Sequence, residues 1–129
     1  MADYTFTRTL DTDLADAEAR TRAALSKEGF GVLTEIDIQA TLKTKLDVDV
    51  PGYRILGACN PPLAHRAMQA EPRIGAMLPC NVILRDLGDG TTEVAAVDPV
   101  ASMSAVENAE LGDVAAEVRD RLQRVVAAL

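Results

Sequence analysis

Two short segments of this 129-residue chain carry residue types able to do chemistry: Cys59-Asn60-Pro61-Pro62 and Pro79-Cys80-Asn81. If the fold brings them together, two thiols and two amides, Cys59, Asn60, Cys80 and Asn81, share one pocket. The one histidine, His65, would add a third soft ligand, making Cys59, Cys80 and His65 an open-sided set of the kind zinc or copper prefers. His65 lies six residues after Cys59 and fifteen before Cys80, which matches no compact zinc spacing, and there is no CxxC. Cys59 and Cys80 are also the candidate catalytic thiols, one as nucleophile and the other as its resolving partner. Cys59 precedes a helix start, whose dipole favours thiolate. Pro61 and Pro62, however, remove the amides that would face an anion there, and an Asn60 N-cap takes the next donor, Leu63 N–H. The plain structural alternative for each cysteine is a small buried apolar residue.

Charge gives a second set of candidates. The chain carries 13 basic and 20 acidic side chains, a formal net charge of −7. Residues 1–37 hold 4 basic and 8 acidic groups, residues 38–66 hold 4 and 2, and residues 67–129 hold 5 and 10. The basic middle, with Lys43, Lys45, Arg54 and Arg66, also contains Cys59, Asn60 and His65. A small anionic ligand would be drawn there if those cations converge, with Lys43 and His65 at the rim. Glu35 and Asp37, two apart in a strand, share one face and could serve acid–base work or a hard cation, or else simply mark a solvated surface. No phosphate-binding glycine loop, Walker motif, GxSxG elbow or HExxH is present. An acidic chain with four aromatics, Tyr4, Phe6, Phe30 and Tyr53, has neither the basic footprint nor the stacking platform that nucleic acid needs.

These groups must be held by elements that the periodicity locates. At 129 residues and 48% hydrophobic, the chain has enough apolar material for one core, so residues 1–129 read as one domain. Residues 3–10 alternate, Tyr4, Phe6 and Leu10 against Thr5, Thr7 and Thr9, with Arg8 interrupting the apolar side; this is a half-buried strand. Leu14, Ala17, Thr21, Ala24 and Leu25 then follow helical spacing over about 13–28, capped by Asp11 or Asp13 and stopped at Gly29. A second strand over 30–38 puts Phe30, Val32, Thr34, Ile36 and Ile38 on one face and Gly31, Leu33, Glu35 and Asp37 on the other. A short helix at 39–46, a turn at 47–52 and a strand at 53–59 follow. A helix begins at Asn60-Pro61 and ends by Glu71. Runs at 80–87 and 91–98 around Gly88-Asp89-Gly90 predict a hairpin. Ser104 and Glu107 fit a capping box for a last helix striped by Leu111, Val114, Ala115, Val118, Leu122, Val125, Val126 and Leu129.

The order β-α-β-α-β-α-β-β-α, with strands polar on one side, predicts an α+β fold: a mainly antiparallel sheet with helices packed on one face. The other face, holding Thr5, Thr7, Thr9, Glu35 and Asp37, is then solvated or covered by a second copy, so a homodimer is expected. There is no apolar run long enough to cross a membrane and no leader pattern at Met1, which reads as a cytoplasmic protein whose cysteines stay reduced.

Gly29-Phe-Gly-Val-Leu-Thr-Glu-Ile-Asp37, Tyr53-Arg-Ile-Leu-Gly-Ala-Cys-Asn-Pro-Pro-Leu-Ala-His-Arg-Ala67, Leu78-Pro-Cys-Asn-Val82 and Val97-Asp-Pro99 together resemble the domain of unknown function 302 family over essentially the whole chain. The resemblance implies a compact α+β domain that pairs as a homodimer in a bacterial or archaeal setting, with no established activity. It marks Gly57 to Pro61 and Pro79 to Asn81 as the family hallmark. Three functional readings follow. The favoured one is a small-ligand or metal-binding module built on Cys59, Asn60, Cys80, Asn81, Lys43 and Glu35. The others are a thiol-dependent enzyme or redox protein using Cys59 and Cys80, and a structural or partner-binding homodimer without chemistry.

Overall fold

The structure, a computed structural model, describes residues 3–129. Five strands, β1 (Thr5–Leu10), β2 (Gly31–Asp37), β3 (Tyr53–Cys59), β4 (Cys80–Asp86) and β5 (Thr92–Val97), form one sheet in the order β1-β5-β4-β3-β2. Every neighbouring pair is antiparallel. Among the described residues there are also five helices, α1 (Leu14–Lys27), α2 (Ile38–Leu46), α3 (Pro61–Ala70), α4 (Pro99–Ser102) and α5 (Ala109–Ala127), with a 3-10 turn at Ile74–Met77. This is the expected α+β order with two short helical turns added. Among the described residues, no helix is long and apolar enough to cross a membrane.

Cross-strand partners share a face, so the register separates the two sides of the sheet. Phe6, Ala96, Val82 and Leu56 run side by side toward the helices, as do Val94 and Leu84 in the next row. Leu56, Val82, Leu84, Val94 and Ala96 are fully buried there. The lid over them is α5, whose stripe buries Leu111, Val114, Ala115, Val118, Leu122, Val125 and Val126. Six Val and Leu side chains contribute on the order of 10 kcal/mol before conformational entropy is charged against them. The expected interruption at Arg8 has a purpose: its guanidinium donates to Ala127 O at 2.8 Å, satisfying a carbonyl left free at the end of α5.

Two sequence expectations are corrected. The strict alternation predicted through β2 is broken by a bulge between Val32 and Thr34. An extra residue in one strand moves every following side chain to the opposite face. Val32 still pairs with Ala58 on the helix side, but beyond the bulge it is Glu35 and Asp37 that fall opposite Leu56 and Arg54, while Thr34 and Ile36 turn to the open face. Glu35 and Asp37 therefore do not belong to the uncovered surface. The capping box at Ser104 and Glu107 is also absent. Helix α5 starts after Asn108, whose side chain accepts from Glu110 N and Leu111 N and whose amide donates to Ala70 O at 2.8 Å. Asn108 thus ties the start of α5 to the end of α3, whereas Ser104 Oγ bonds back to Ala101 O.

Candidate functional site

Antiparallel pairing of β3 with β4 brings the two cysteine segments to the same end of the sheet. Ala58 is the register partner of Cys80, and Cys59 is one residue beyond. Both cysteines are free thiols. Cys80 points into the core and is buried, and Cys59 is half-buried. Burial pushes the Cys80 thiol up to about 11, and the nearby Cys59 adds to the shift. An apolar surround cannot solvate a thiolate, so Cys80 stays protonated at neutral pH.

Between these segments and the helices is a cavity of about 30 Å³. Its wall includes Cys59, Asn60 and Cys80, but most of it is carbon: Phe30, Ala58, Leu63, Ala67, Leu78, Met103, Val114 and Val118. Nothing in the sequence singles these apolar residues out, because a Leu or Met carries no mark of chemistry. Their only sequence signal was adjacency, Leu63 and Leu78 standing beside the two hallmark segments.

Both ends of the Asn60 amide make a hydrogen bond within the fold. Its Oδ1 accepts from Leu63 N at 3.3 Å, capping α3 as the sequence predicts, and its Nδ2 donates to Glu28 O at 3.4 Å. Arg121 Nη1 donates to the same carbonyl at 3.0 Å, and Arg124 Nε pairs with the Glu28 carboxylate at 2.9 Å. The end of α1 is thereby held from both α3 and α5. Gly29, at φ 83°, follows with its α-carbon turned toward Asn60; a β-carbon there would stand 3.0 Å from Asn60 Nδ2. Asn60 is thus a structural clasp between α1 and α3, with one donor and one acceptor position of its amide still open.

The remaining predicted residues are not brought to this cavity. Asn81 pairs with Gly57 and is exposed on the open face of the sheet. His65 is exposed on α3, and among the described residues no three His, Cys, Asp or Glu side chains gather to hold a metal, so the fold does not assemble Cys59, Cys80 and His65 into one set. Lys43 sits on α2, at the Tyr53 end of β3, about 20 Å of strand away from Cys59. It pairs with Asp47 at 2.9 Å and Asp49 at 3.3 Å. Arg54 donates to Glu18 at 2.6 Å, and Arg66 faces Glu110 and Asp113 across a groove between α3 and α5. Lys43, Arg54 and Arg66 are thus dispersed in space, on α2, β3 and α3.

Glu35 belongs to a separate ionic cluster. Arg22 joins it at 2.8 Å to Glu18, which Arg22 Nε meets at 3.0 Å. Burial alone would raise the Glu18 carboxyl, but hydrogen bonds from Arg54 and Arg22 outweigh it and hold the group below the usual range. Asp37 accepts from Ala40 N at 2.9 Å and is the N-cap of α2. Both carboxylates of the proposed acid–base pair are occupied in holding α1 and α2 to the sheet edge.

No functionally curated protein matches the chain. It is similar, at 26% identity over 98% of each chain and a TM-score of 0.90, to the crystal structure of an uncharacterized conserved DUF302 protein from Bacillus stearothermophilus. Residues 6–129 match the family described as domain of unknown function DUF302, and the chain belongs to that family.

Proposed function

We propose that this protein is a non-catalytic binding module for a small neutral molecule, with its site at the cavity between the Cys59 and Cys80 segments. One observation carries the reading: both hallmark segments border the same cavity, and its wall is nearly all carbon. Burial of Cys80, which keeps its thiol protonated, favours binding over nucleophilic or metal chemistry. The Asn60 amide, bonded across the α1–α3 joint, is part of the frame around the site.

The test uses a variant that fills the cavity without altering charge. Ala67 lines it from α3 and is 2% exposed, so Ala67→Val places two methyl groups in a space of about 30 Å³. Xenon under pressure, a neutral probe far smaller than benzene, should raise the melting temperature of the wild type and leave that of Ala67→Val unchanged. Equal stabilisation of both proteins would place the binding elsewhere and reject this site.

A second reading rests on the open face of the sheet. Ile36, Ile55, Ile83 and Ala95 form one cross-strand row there, with Ile36 44% exposed. Such a row supports pairing with a second copy through the sheet. Sedimentation velocity should give a dimer for the wild type and a monomer for Ile83→Glu. A wild type monomeric at tens of micromolar would end that reading.

A further inference from the structure

Met103 stands between two hollows. It is 7% exposed and lines the cavity beside Cys80. On its other side it lines a surface hollow of about 200 Å³, shared with Val100, Val106 and Leu111. The one other residue common to both walls is Ala115, which is too short to divide them. The inner cavity exceeds the ~10–15 Å³ needed for one water but falls far short of the ~150 Å³ that admits benzene in an engineered core. An occupant larger than a few atoms therefore needs the outer hollow too.

The segment bearing Met103 is hydrogen-bonded mainly to itself. Residues 99–107 link β5 to α5, and their hydrogen bonds are local: Met103 N to Pro99 O, Val106 N to Met103 O, Ser104 Oγ to Ala101 O. The strap is tied down at its ends. Asp98 N donates to Tyr4 O and the Asp98 carboxylate pairs with Arg119, while Asn108 donates to Ala70 O. Between these anchors it is held by side-chain packing, and an unbranched methionine changes rotamer more readily than any other large apolar residue.

We infer that Met103 is a movable partition, and that its withdrawal joins the two hollows into one chamber for a neutral apolar molecule of about the size of benzene, with Cys80 at the inner end. The inference rests on the reading of the Cys59–Cys80 cavity as a binding site, and adds to it the ligand class and the gate. The outer hollow supplies the space, and Val100, Val106 and Leu111 supply an entrance without charge.

The experiment is a benzene titration followed by methyl NMR on protein labelled at the methionine methyls and alanine methyls. Met68 and Met77, 52% and 41% exposed, are internal controls. Benzene should shift the Met103 methyl together with those of Ala67 and Ala115 and leave Met68 and Met77 in place. Met103→Ala, which removes the partition, should bind about tenfold more tightly, because no closed state has to be opened first. Met103→Leu, which keeps the volume but stiffens the gate, identifies the Met103 signal and should bind more weakly than the wild type. Shifts at Ala67 with a still Met103 methyl would overturn the gate and leave the cavity as a site. Absence of any shift at saturating benzene would overturn the gate, while the smaller probe xenon decides the site by itself.

Discussion

Gly57 is the tightest point in the hallmark segment, and adding one carbon to it tests the account of how the two cysteine segments are held together. A β-carbon at Gly57 would overlap Thr34 Oγ1 and stand 2.7 Å from Pro79 Cγ. Real β-carbons do not approach so closely. Thr34 lies across the β2 bulge and can rotate its hydroxyl away, but the Pro79 ring is part of the segment that positions Cys80 and can move only with its backbone. Gly57→Ala should therefore cost about 1–3 kcal/mol, the range for one surplus methyl in a packed interior. For a domain of this size that is a fall in melting temperature of about 3–10 °C. Urea unfolding of the single variant, of Thr34→Ala and of the double variant apportions the strain. Thr34→Ala should recover part of the loss, and the remainder belongs to Pro79. Because the strain moves Pro79, the Cys80 thiol should also react faster with a disulfide reagent at pH 8. A Gly57→Ala protein within 0.5 kcal/mol of wild type, with Cys80 as unreactive as before, would refute the packing argument.

Gly112 is the contrasting case: it lies inside α5 and an added β-carbon there meets nothing within 4 Å, so Gly112→Ala should stabilise by about 0.5–1 kcal/mol in the same urea assay. Stability should fall as pH rises from 9 to 11. The folded Cys80 holds its proton up to about 11 while the unfolded thiol ionises near 9.0, so the stability present below pH 9 is lost by about 2–3 kcal/mol across that window, and Cys80→Ala should lack that part of the slope. Asn60→Asp keeps the cap on Leu63 N but loses the bond to Glu28 O, whereas Asn60→Ala loses both. Thermal unfolding should rank them wild type, Asp, Ala, with Ala about 1–2 kcal/mol below wild type.

Much of the local structure was legible because it follows from neighbours in the chain. Asn60-Pro61 opens α3 since the asparagine caps and the proline needs no amide partner, and Gly29 ends α1 since it takes positive φ without strain. The α5 stripe follows from its period, but its start does not. Ser104 and Glu107 have the capping spacing, yet Asn108 wins because it also reaches Ala70 O, a partner 38 residues away. The β2 faces beyond Val32 depart from period two for a similar reason. A bulge is fixed by the register against β3, and period two within β2 contains no sign of it.

The sequence by itself determined the order of the five strands and four longer helices, the α+β class and the two segments with chemistry to offer, because periodicity, caps and turn residues act over a few positions. Only the tertiary structure decided what those segments enclose. Pairing of β3 with β4 set Cys59 and Cys80 at one sheet end, and the packing of α3, α5 and Met103 over them made the space apolar and small. The same packing sent His65 and Asn81 to the surface and left Lys43 and Glu35 to ion pairs elsewhere, since residue type names the chemistry a side chain could do and long-range burial chooses which of it is assembled.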